Sequence, residues 1–361
     1  MIIGVDTSQA AREKKTGIEY LSSQLILSLV EIDHKNNYLL FSNLRLSPAF
    51  QSKNFKPVFL PFRKFWHKFR LPLALLKYKP NIFLEIGYML PDFSPKKTIC
   101  FVHDLASKIF PDAYSARDKM ILDLSFRRAA KAAVIIFISK NTQKDYEKFY
   151  PGFKNRSYVI YPGYDTELYK TISNPKDVLN INSSYILYLG RLESRKNVKN
   201  LVLAYKLFRK KTKLTPKLVL AGKEGFGFAD VEAEINKLDA RIKNDIIVPG
   251  YITEKDLPHL YAGADLFLFP SLYEGFGIPI LEAMACGTPA ACSKTSSLPE
   301  AGGEAVAYFD PENPSEIANS INTVLTNSAL RTKMISAGKV QVKKFSYKKM
   351  AKEVLAVINS L

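Results

Sequence analysis

The chain has 361 residues, of which 47% are apolar and 24% charged, and this composition is ordinary for a soluble globular protein. Its length predicts two domains, because one hydrophobic core rarely extends over so many residues. The net charge of +18 favours anionic partners: nucleic acid, acidic lipid head groups or phosphorylated substrates. No apolar run approaches the ~20 residues of a membrane span.

The positions of the cysteines and the sequence of the N-terminus both favour a cytoplasmic protein. The cysteines (Cys100, Cys286 and Cys292) lie far apart or in apolar segments, which predicts neither a disulfide framework nor a zinc site. His34, His67 and His259 likewise have no partners at metal-ligand spacing, so no metal site is expected. The first residues read as a short strand rather than a signal peptide. We therefore expect a cytoplasmic protein whose membrane contact, if any, is peripheral.

Short apolar runs alternate with amphipathic stretches, a pattern typical of parallel sheets covered by helices. In the first half, strands are predicted near 2–6, 38–42, 81–86, 98–102, 133–138 and 157–160. Helices are predicted at 17–32, 117–131 and 140–150. A linker rich in proline, glycine and asparagine follows at about 162–184. The second half repeats the pattern, with strands at 185–189, 217–221, 245–248, 265–269, 288–292 and 305–309. The sequence thus predicts two doubly wound α/β domains.

The stretch 269–289 combines the end of a strand, a glycine turn and a short helix. The turn contains Glu274, Gly275 and Gly277, and the helix contains Glu282. Backbone N–H groups at such a helix start attract phosphate, and glycine allows close approach. Carboxylates beside a phosphate site indicate a ligand that also presents hydroxyls. Both features together predict a sugar nucleotide.

A second turn, Gly190 to Asn197, follows the predicted strand at 185–189. Arg191 offers a planar fork of donors and Lys196 a point charge, a combination suited to a diphosphate. Fixed cations at a departing diphosphate would provide electrostatic catalysis.

These motifs resemble a known family. Glu274 and Glu282, with GFGIPIL between them and EAMACGTP around the second, resemble the E-x7-E motif of retaining GT-B glycosyltransferases. The resemblance is to the bacterial and archaeal family four, which includes mannosyl-, glucosyl- and rhamnosyltransferases of polysaccharide and glycolipid assembly. It covers most of the chain and is strongest over 185–311.

The resemblance implies a fold of two Rossmann-like domains facing across a cleft. Residues 1–170 would form the acceptor-binding domain and residues 171–345 the nucleotide-sugar-binding domain. The predicted helix at 346–361 would cross back to the first domain.

The resemblance also implies roles for individual residues. Arg191 and Lys196, in the pattern G-R-x4-K that begins at Gly190, would bind the donor diphosphate. Glu282 would bind the ribose, and Glu274 the sugar hydroxyls. The backbone beside Glu274 would share that contact, through Gly275, Phe276, Gly277 and Ile278. Gly250 and Tyr251 would border the nucleobase.

Two positions in the first domain are implied in the same way. His103 ends a predicted strand and resembles the family histidine that contacts the donor sugar near its anomeric carbon. Gly17 lies in a turn, Lys15 to Tyr20, that resembles the family's TGIGRY-like turn at the diphosphate or acceptor. The usual second glycine is Glu19 here and the usual arginine is Tyr20.

Residues 34–84 include ten Lys and Arg and no acidic residue. Aromatic residues alternate with these charges, most densely over 62–70. Segment 51–79 could lie on an anionic membrane or a lipid-linked acceptor. It could also be an ordinary surface helix with its aromatics packed inward, or a nucleic-acid surface.

The favoured interpretation is a retaining hexosyltransferase. The expected donor is GDP-mannose first and a UDP-hexose second, and the expected acceptor is a glycan or a lipid-linked glycan. With no D-x-D motif, transfer is expected to need neither metal nor cofactor, and no nucleic-acid partner is expected. The alternative is a non-catalytic basic protein on a Rossmann-like scaffold that binds nucleic acid or membrane. A dehydrogenase is disfavoured because neither glycine cluster reads G-x-G-x-x-G.

Overall fold

The structure, a computed structural model, describes residues 1–13, 15, 17–61, 64–87, 89–153 and 156–361. It contains two compact units. The first unit comprises Met1–Gly163 and Phe345–Leu361, and the second comprises Tyr164–Lys344.

The first unit is built on a seven-stranded sheet whose described pairs are all parallel. Its order is β3-β2-β1-β4-β5-β6-β7, so the direction of winding reverses between β1 and β4. The elements are β1 (Ile2–Asp6), α1 (Gly17–Ile32), β2 (Asn37–Ser42), β3 (Phe55–Phe59), α2 (Leu71–Tyr78), β4 (Ile82–Glu85), β5 (Thr98–Val102), α3 (Ala106–Ile109), α4 (Ala116–Ala129), β6 (Val134–Phe137), α5 (Lys140–Phe149) and β7 (Arg156–Val159).

The edge strand β3 was not predicted. It contains Pro57, and only Phe55 is buried, so it lacks the apolar run that marks the central strands. An edge position tolerates proline because one side of the strand needs no ladder partner. The ring of Phe55 stacks on Tyr38 of β2 with centroids 4.0 Å apart.

A single π-helical turn, Trp66–Arg70, precedes α2. It starts after Phe65, whose φ of 57° lies in the left-handed region that non-glycine residues rarely adopt. The described part of segment 51–79 therefore consists of an edge strand, a π turn and a helix. Phe62 and Arg63 of that segment lie outside the described residues.

The second unit repeats this design with a six-stranded sheet of order β10-β9-β8-β11-β12-β13. Winding reverses here between β8 and β11. Its elements are β8 (Tyr185–Leu189), α6 (Val198–Lys211), β9 (Lys217–Ala221), α7 (Phe228–Asn236), α8 (Ala240–Lys243), β10 (Ile246–Gly250), α9 (Leu257–Ala262), β11 (Leu266–Phe269), α10 (Ile278–Ala285), β12 (Ala290–Ser293), α11 (Leu298–Gly302), β13 (Ala307–Phe309), α12 (Pro314–Thr326) and α13 (Ser328–Gln341). Every strand predicted in both halves is present within a few residues.

The last helix, α14 (Tyr347–Asn359), packs in the first unit. Ser346 caps it by accepting a hydrogen bond from the Lys349 N–H, and the ring of Tyr347 lies 6.1 Å from that of Tyr20 on α1. The chain leaves the first unit at Gly163, where a Cβ would lie 2.1 Å from the Tyr347 nitrogen. The predicted return of the C-terminal helix to the first domain is confirmed. Within the described residues, every helix is too short or too polar to cross a membrane.

Candidate active site

The candidate site of the second unit lies where the loops after β8 and β11 leave the sheet. These strands are neighbours, and the sheet reverses its winding between them. At such a switch point the two loops diverge and leave a crevice at the carboxyl ends of the strands. The loop after β8 carries Gly190 to Asn197, and the loop after β11 carries Glu274 to Gly277.

Glycines allow the loops at this edge to approach one another. The Gly222 N–H donates to the Gly250 carbonyl at 2.8 Å. Gly222 has a φ of 143°, and a Cβ there would lie 1.8 Å from the Gly190 oxygen. Only glycine fits at that point, so Gly190 and Gly250 are held on either side of it.

The structure brings Lys196 and Glu274 into direct contact. The Lys196 Nζ lies 2.5 Å from Glu274 Oε1 and 5.7 Å from the centre of the Phe269 ring. Both side chains are largely buried, with 14% and 11% of their surfaces exposed. Burial alone would raise the pKa of Glu274, but the charges of Lys196 and Arg195 outweigh it and hold that pKa below its ordinary value. Burial lowers the pKa of Lys196, and the charge of Glu274 opposes that lowering. The contact between the two side chains is already formed in the folded chain.

Serine hydroxyls fix the backbone of the glutamate turn. Ser296 Oγ accepts from the Glu274 N–H at 3.1 Å and donates to the Glu274 carbonyl at 2.7 Å. Ser297 Oγ lies 2.8 Å from the same carbonyl and 3.0 Å from that of Phe276. Gly277, with a φ of 115°, is the N-cap residue before α10, and a Cβ there would lie 2.8 Å from a Leu298 methyl. The turn is rigid, and its next residue, Ile278, is the first of the helix.

Glu282 lies on α10, half-buried, and Oε2 accepts a hydrogen bond from the Tyr261 hydroxyl at 2.9 Å. Burial is the main cause that raises the pKa of Glu282 to about 7, and the charges of Glu254 and Asp165 contribute to this rise. The Tyr261 hydrogen bond opposes this rise. The two carboxylates of the motif thus differ: Glu274 is paired with cations, whereas Glu282 titrates near neutral pH.

Arg191 and Tyr251 reach outward from the same edge. The Arg191 side chain is 65% exposed, and its Nε lies 3.7 Å from Glu193 Oε2. Tyr251 is 66% exposed, with its ring centre 5.0 Å from the Lys223 ammonium. Both side chains are accessible to a ligand from solvent.

His103 and Gly17 belong to the first unit. His103 follows β5, is 6% exposed, and its Nε2 lies 2.6 Å from the Ile86 carbonyl, to which it must donate. Burial lowers the pKa of His103, so the ring is neutral near pH 7. A cavity of about 180 Å³ is lined by His103 together with Ile18, Tyr114 and Ser125. Gly17 is the first residue of α1, next to Ile18, and the preceding Thr16 lies outside the described residues.

Comparisons with known proteins establish the family. A family model described as Glycosyl transferases group 1 matches residues 170–341. The O-antigen chain mannosyltransferase B of Escherichia coli is 30% identical over 301 residues, which are 81% of this chain and 77% of that protein. The chain belongs to the group 1 glycosyltransferases.

Solved structures agree on the GT-B fold. The sucrose-phosphate synthase of Thermosynechococcus elongatus superposes with a TM-score of 0.79 at 18% identity, covering 99% of this chain and 98% of that one. Anabaena HepE in complex with UDP superposes with a TM-score of 0.71 at 19% identity, covering all of both chains. The predicted fold class is confirmed, and the family membership does not favour the non-catalytic alternative.

Two residues at the site of this glycosyltransferase could not be predicted from the sequence. Arg195 donates to the Tyr273 carbonyl at 2.8 Å and to Glu193 Oε1 at 3.0 Å, so it ties the two loops together beside Lys196. Tyr261, the partner of Glu282, lies on α9. The only signal for Arg195 was its place beside Lys196 in the turn, and nothing in the spacing pointed to Tyr261.

We predict that Glu282 makes the stability of the glycosyltransferase fall with rising pH. Its pKa is about 7 when folded against an ordinary 4.5, so the folded chain holds this proton more tightly. The free energy of unfolding should therefore decrease between about pH 4.5 and 7. Glu282→Gln should remove that decrease and be more stable than the wild type above pH 7, by up to about 3 kcal/mol.

Urea unfolding at several pH values measures this effect. The exposed Glu312→Gln serves as the matched control and should keep the wild-type profile. Parallel profiles for the wild type and Glu282→Gln would show that the carboxyl has an ordinary pKa.

Proposed function

We propose that this chain is a retaining hexosyltransferase that moves a mannose-type sugar from a nucleoside diphosphate to a glycan or lipid-linked acceptor without a metal ion. The observation that carries the proposal is the buried Lys196–Glu274 pair at the switch point of the second sheet. It places an ammonium group beside a carboxylate. A sugar diphosphate requires both, because the cation binds the phosphates and the carboxylate accepts hydrogen bonds from the sugar hydroxyls.

In this proposal, each part of the donor has its own residues. Lys196 and Arg191 hold the diphosphate, and Lys196 stabilises the charge that develops on it as it leaves. Glu274, with the backbone of 275–278, binds the sugar hydroxyls, and Glu282 binds the ribose. Gly250 and Tyr251 border the base. Tyr251 offers an exposed ring on which a base could stack.

The identity of the donor sugar is proposed from the similarity to a known protein, not from the residues of the site. The Escherichia coli relative is a mannosyltransferase, which supports mannose and hence GDP-mannose as the first donor. The solved complex of HepE contains UDP, which keeps a UDP-hexose as the second.

The anomeric configuration is retained if the acceptor hydroxyl attacks C1 of the sugar from the same face from which the diphosphate departs. The bond from C1 to the phosphate oxygen breaks, and a bond from C1 to the acceptor oxygen forms. The acceptor proton passes to the leaving phosphate oxygen. His103, neutral and held by the Ile86 carbonyl, is proposed to contact the sugar near C1, and the cavity beside it to receive part of the acceptor.

We predict that nucleoside diphosphates stabilise the chain in the absence of metal. A ligand at ~100 times its dissociation constant adds about 2.7 kcal/mol to the free energy of unfolding. GDP, UDP and ADP should be compared by thermal shift. The favoured diphosphate should lose at least about tenfold in affinity in Arg191→Ala, because a hydrogen bond to a charged group contributes ~1.5–3 kcal/mol.

Arg191 suits this test because its side chain is exposed and its loss should leave the fold intact. Lys196→Ala should abolish the shift, but it leaves Glu274 buried without its closest cation and should lower stability. Lys199→Ala removes an exposed lysine of α6 nearby and is the matched control. Equal shifts in all variants, or none with any diphosphate, would overturn the donor assignment.

We predict that the transferred sugar keeps the anomeric configuration it had in the donor. Proton NMR of the product reports this directly, because the anomeric signal separates the two configurations. The reaction should be run in EDTA. An inverted product would contradict the mechanism, and activity that needs added Mg²⁺ or Mn²⁺ would contradict metal independence.

We further propose that the segment around α2 contacts an anionic membrane where lipid-linked acceptors lie. Phe65, Phe69, Leu73 and Leu76 recur at helical spacing and are 49–66% exposed. Exposed lysines surround them, namely Lys64, Lys68, Lys77 and Lys79. Apolar side chains would enter the interface while the lysines meet anionic head groups.

Vesicle co-sedimentation tests this contact. The wild type should sediment with phosphatidylcholine vesicles that include phosphatidylglycerol, and less so in high salt. The double variant Phe69→Ser with Leu73→Ser should bind at least about tenfold more weakly, because two apolar side chains lose their burial. Met120→Ser, which alters a 68% exposed side chain on α4, should bind like the wild type. Equal binding by both variants would contradict the proposal.

A further inference from the structure

Three groups with metal-ligand chemistry meet at the switch point of the first sheet. Asp6 ends β1 and Glu85 ends β4, and the two are directly paired across these neighbouring strands. His67, from the π turn, brings Nε2 to 3.1 Å from Asp6 Oδ2. One ligand atom from each residue lies within 4.8 Å of the others. Because they lie at positions 6, 67 and 85, no spacing in the sequence connects them.

The two carboxyl groups are buried side by side, and neither has a lysine or arginine partner among the described residues. Asp6 is 3% exposed and Glu85 is 1% exposed. In the described part of the chain, Asp6 has an ion pair only with His67, and Glu85 has none with a lysine or arginine. Two buried negative charges at this distance are costly unless a cation, or a proton shared between the two carboxyl groups, neutralises one of them.

One oxygen of Glu85 is left without a partner. Oε1 accepts the Gly87 N–H at 2.9 Å, but Oε2 is buried and has no hydrogen-bond donor. Oε2 is thus a buried acceptor that receives no hydrogen bond from a protein N–H group, and a bound cation would explain it.

The remaining contacts orient Asp6 toward the same point. Its Oδ1 accepts the Ser8 N–H at 2.8 Å, and its Oδ2 accepts the Trp66 indole N–H at 2.9 Å. Hydrogen bonds of this kind fix metal-binding carboxylates. The His67 side chain is 22% exposed, which leaves an access route from solvent.

We infer that Asp6, His67 and Glu85 form a binding site for a divalent metal ion of the zinc class. One histidine nitrogen and two carboxylate oxygens are a donor set that zinc accepts, with water as the fourth ligand. Two ligand atoms at ~2.0 Å from a tetrahedral zinc are about 3.3 Å apart. The 3.1 Å between His67 Nε2 and Asp6 Oδ2 is close to that value.

The ion has a structural role in this inference. It neutralises the carboxylates and fastens the π turn, which contains the exposed Phe69 and leads into α2, to the carboxyl end of the sheet. Phe65, whose backbone is in the strained left-handed conformation, immediately precedes this turn, and metal binding by His67 would help to hold it there. The role does not enter the transfer reaction and is independent of the proposed donor site.

Metal titration tests the site without any nucleotide sugar. Protein stripped with EDTA and then dialysed should show a rise of several degrees in unfolding temperature with ZnCl₂ near pH 7.5. With CoCl₂ it should develop the visible absorption of a four-coordinate cobalt ion. His67→Ala and Glu85→Gln should each weaken zinc binding at least tenfold. Glu85→Gln keeps the shape of the side chain and removes a buried charge, so it should fold.

His34→Ala, which removes an exposed histidine of the same unit, is the matched control and should bind zinc like the wild type. No stabilisation by zinc, or equal stabilisation of His67→Ala, would overturn the inference. A wild type that gains stability only as the pH falls, with no response to zinc, would instead show that the two carboxyl groups share a proton.

Discussion

The buried ion pair between Lys196 and Glu274 is the interaction on which the candidate site depends. Each charge alone would be costly at this depth, and removing one partner of such a pair typically costs about 3–5 kcal/mol. The pair therefore requires both loops to keep their positions. Arg195 and the hydroxyls of Ser296 and Ser297 supply that rigidity, because they hold the backbone on both sides of the pair.

The topology of the sheets explains why the site lies at this edge. Reversal of winding between β8 and β11 separates their loops, so side chains from two distant segments can face one ligand. The first unit repeats the arrangement between β1 and β4, where Asp6 and Glu85 meet. The same physical rule thus places a cation-rich cluster in one unit and an acidic one in the other.

The features that could be predicted from the sequence are those that depend on residues close together in the chain. Apolar runs predicted the central strands, and the E-x7-E spacing with its glycines predicted the family. What it missed depends on contacts between distant positions. Strand β3 could not be recognised because most of its residues are exposed and it lacks an apolar run. Arg195 contacts Tyr273, which lies 78 positions further along the chain, and Tyr261 precedes its partner Glu282 by 21 positions. Such pairs carry no periodic signal, because only the folded backbone brings them together.

Acceptor-dependent release of nucleoside diphosphate tests the central claim most directly. GDP-mannose and UDP-glucose should be compared with a mannose-terminated oligosaccharide as acceptor, for the wild type and Glu274→Gln. The account predicts GDP release by the wild type and a loss of about a hundredfold or more in Glu274→Gln, where the sugar loses a charged partner. Release that is equal in both proteins, or absent with both donors, would contradict it.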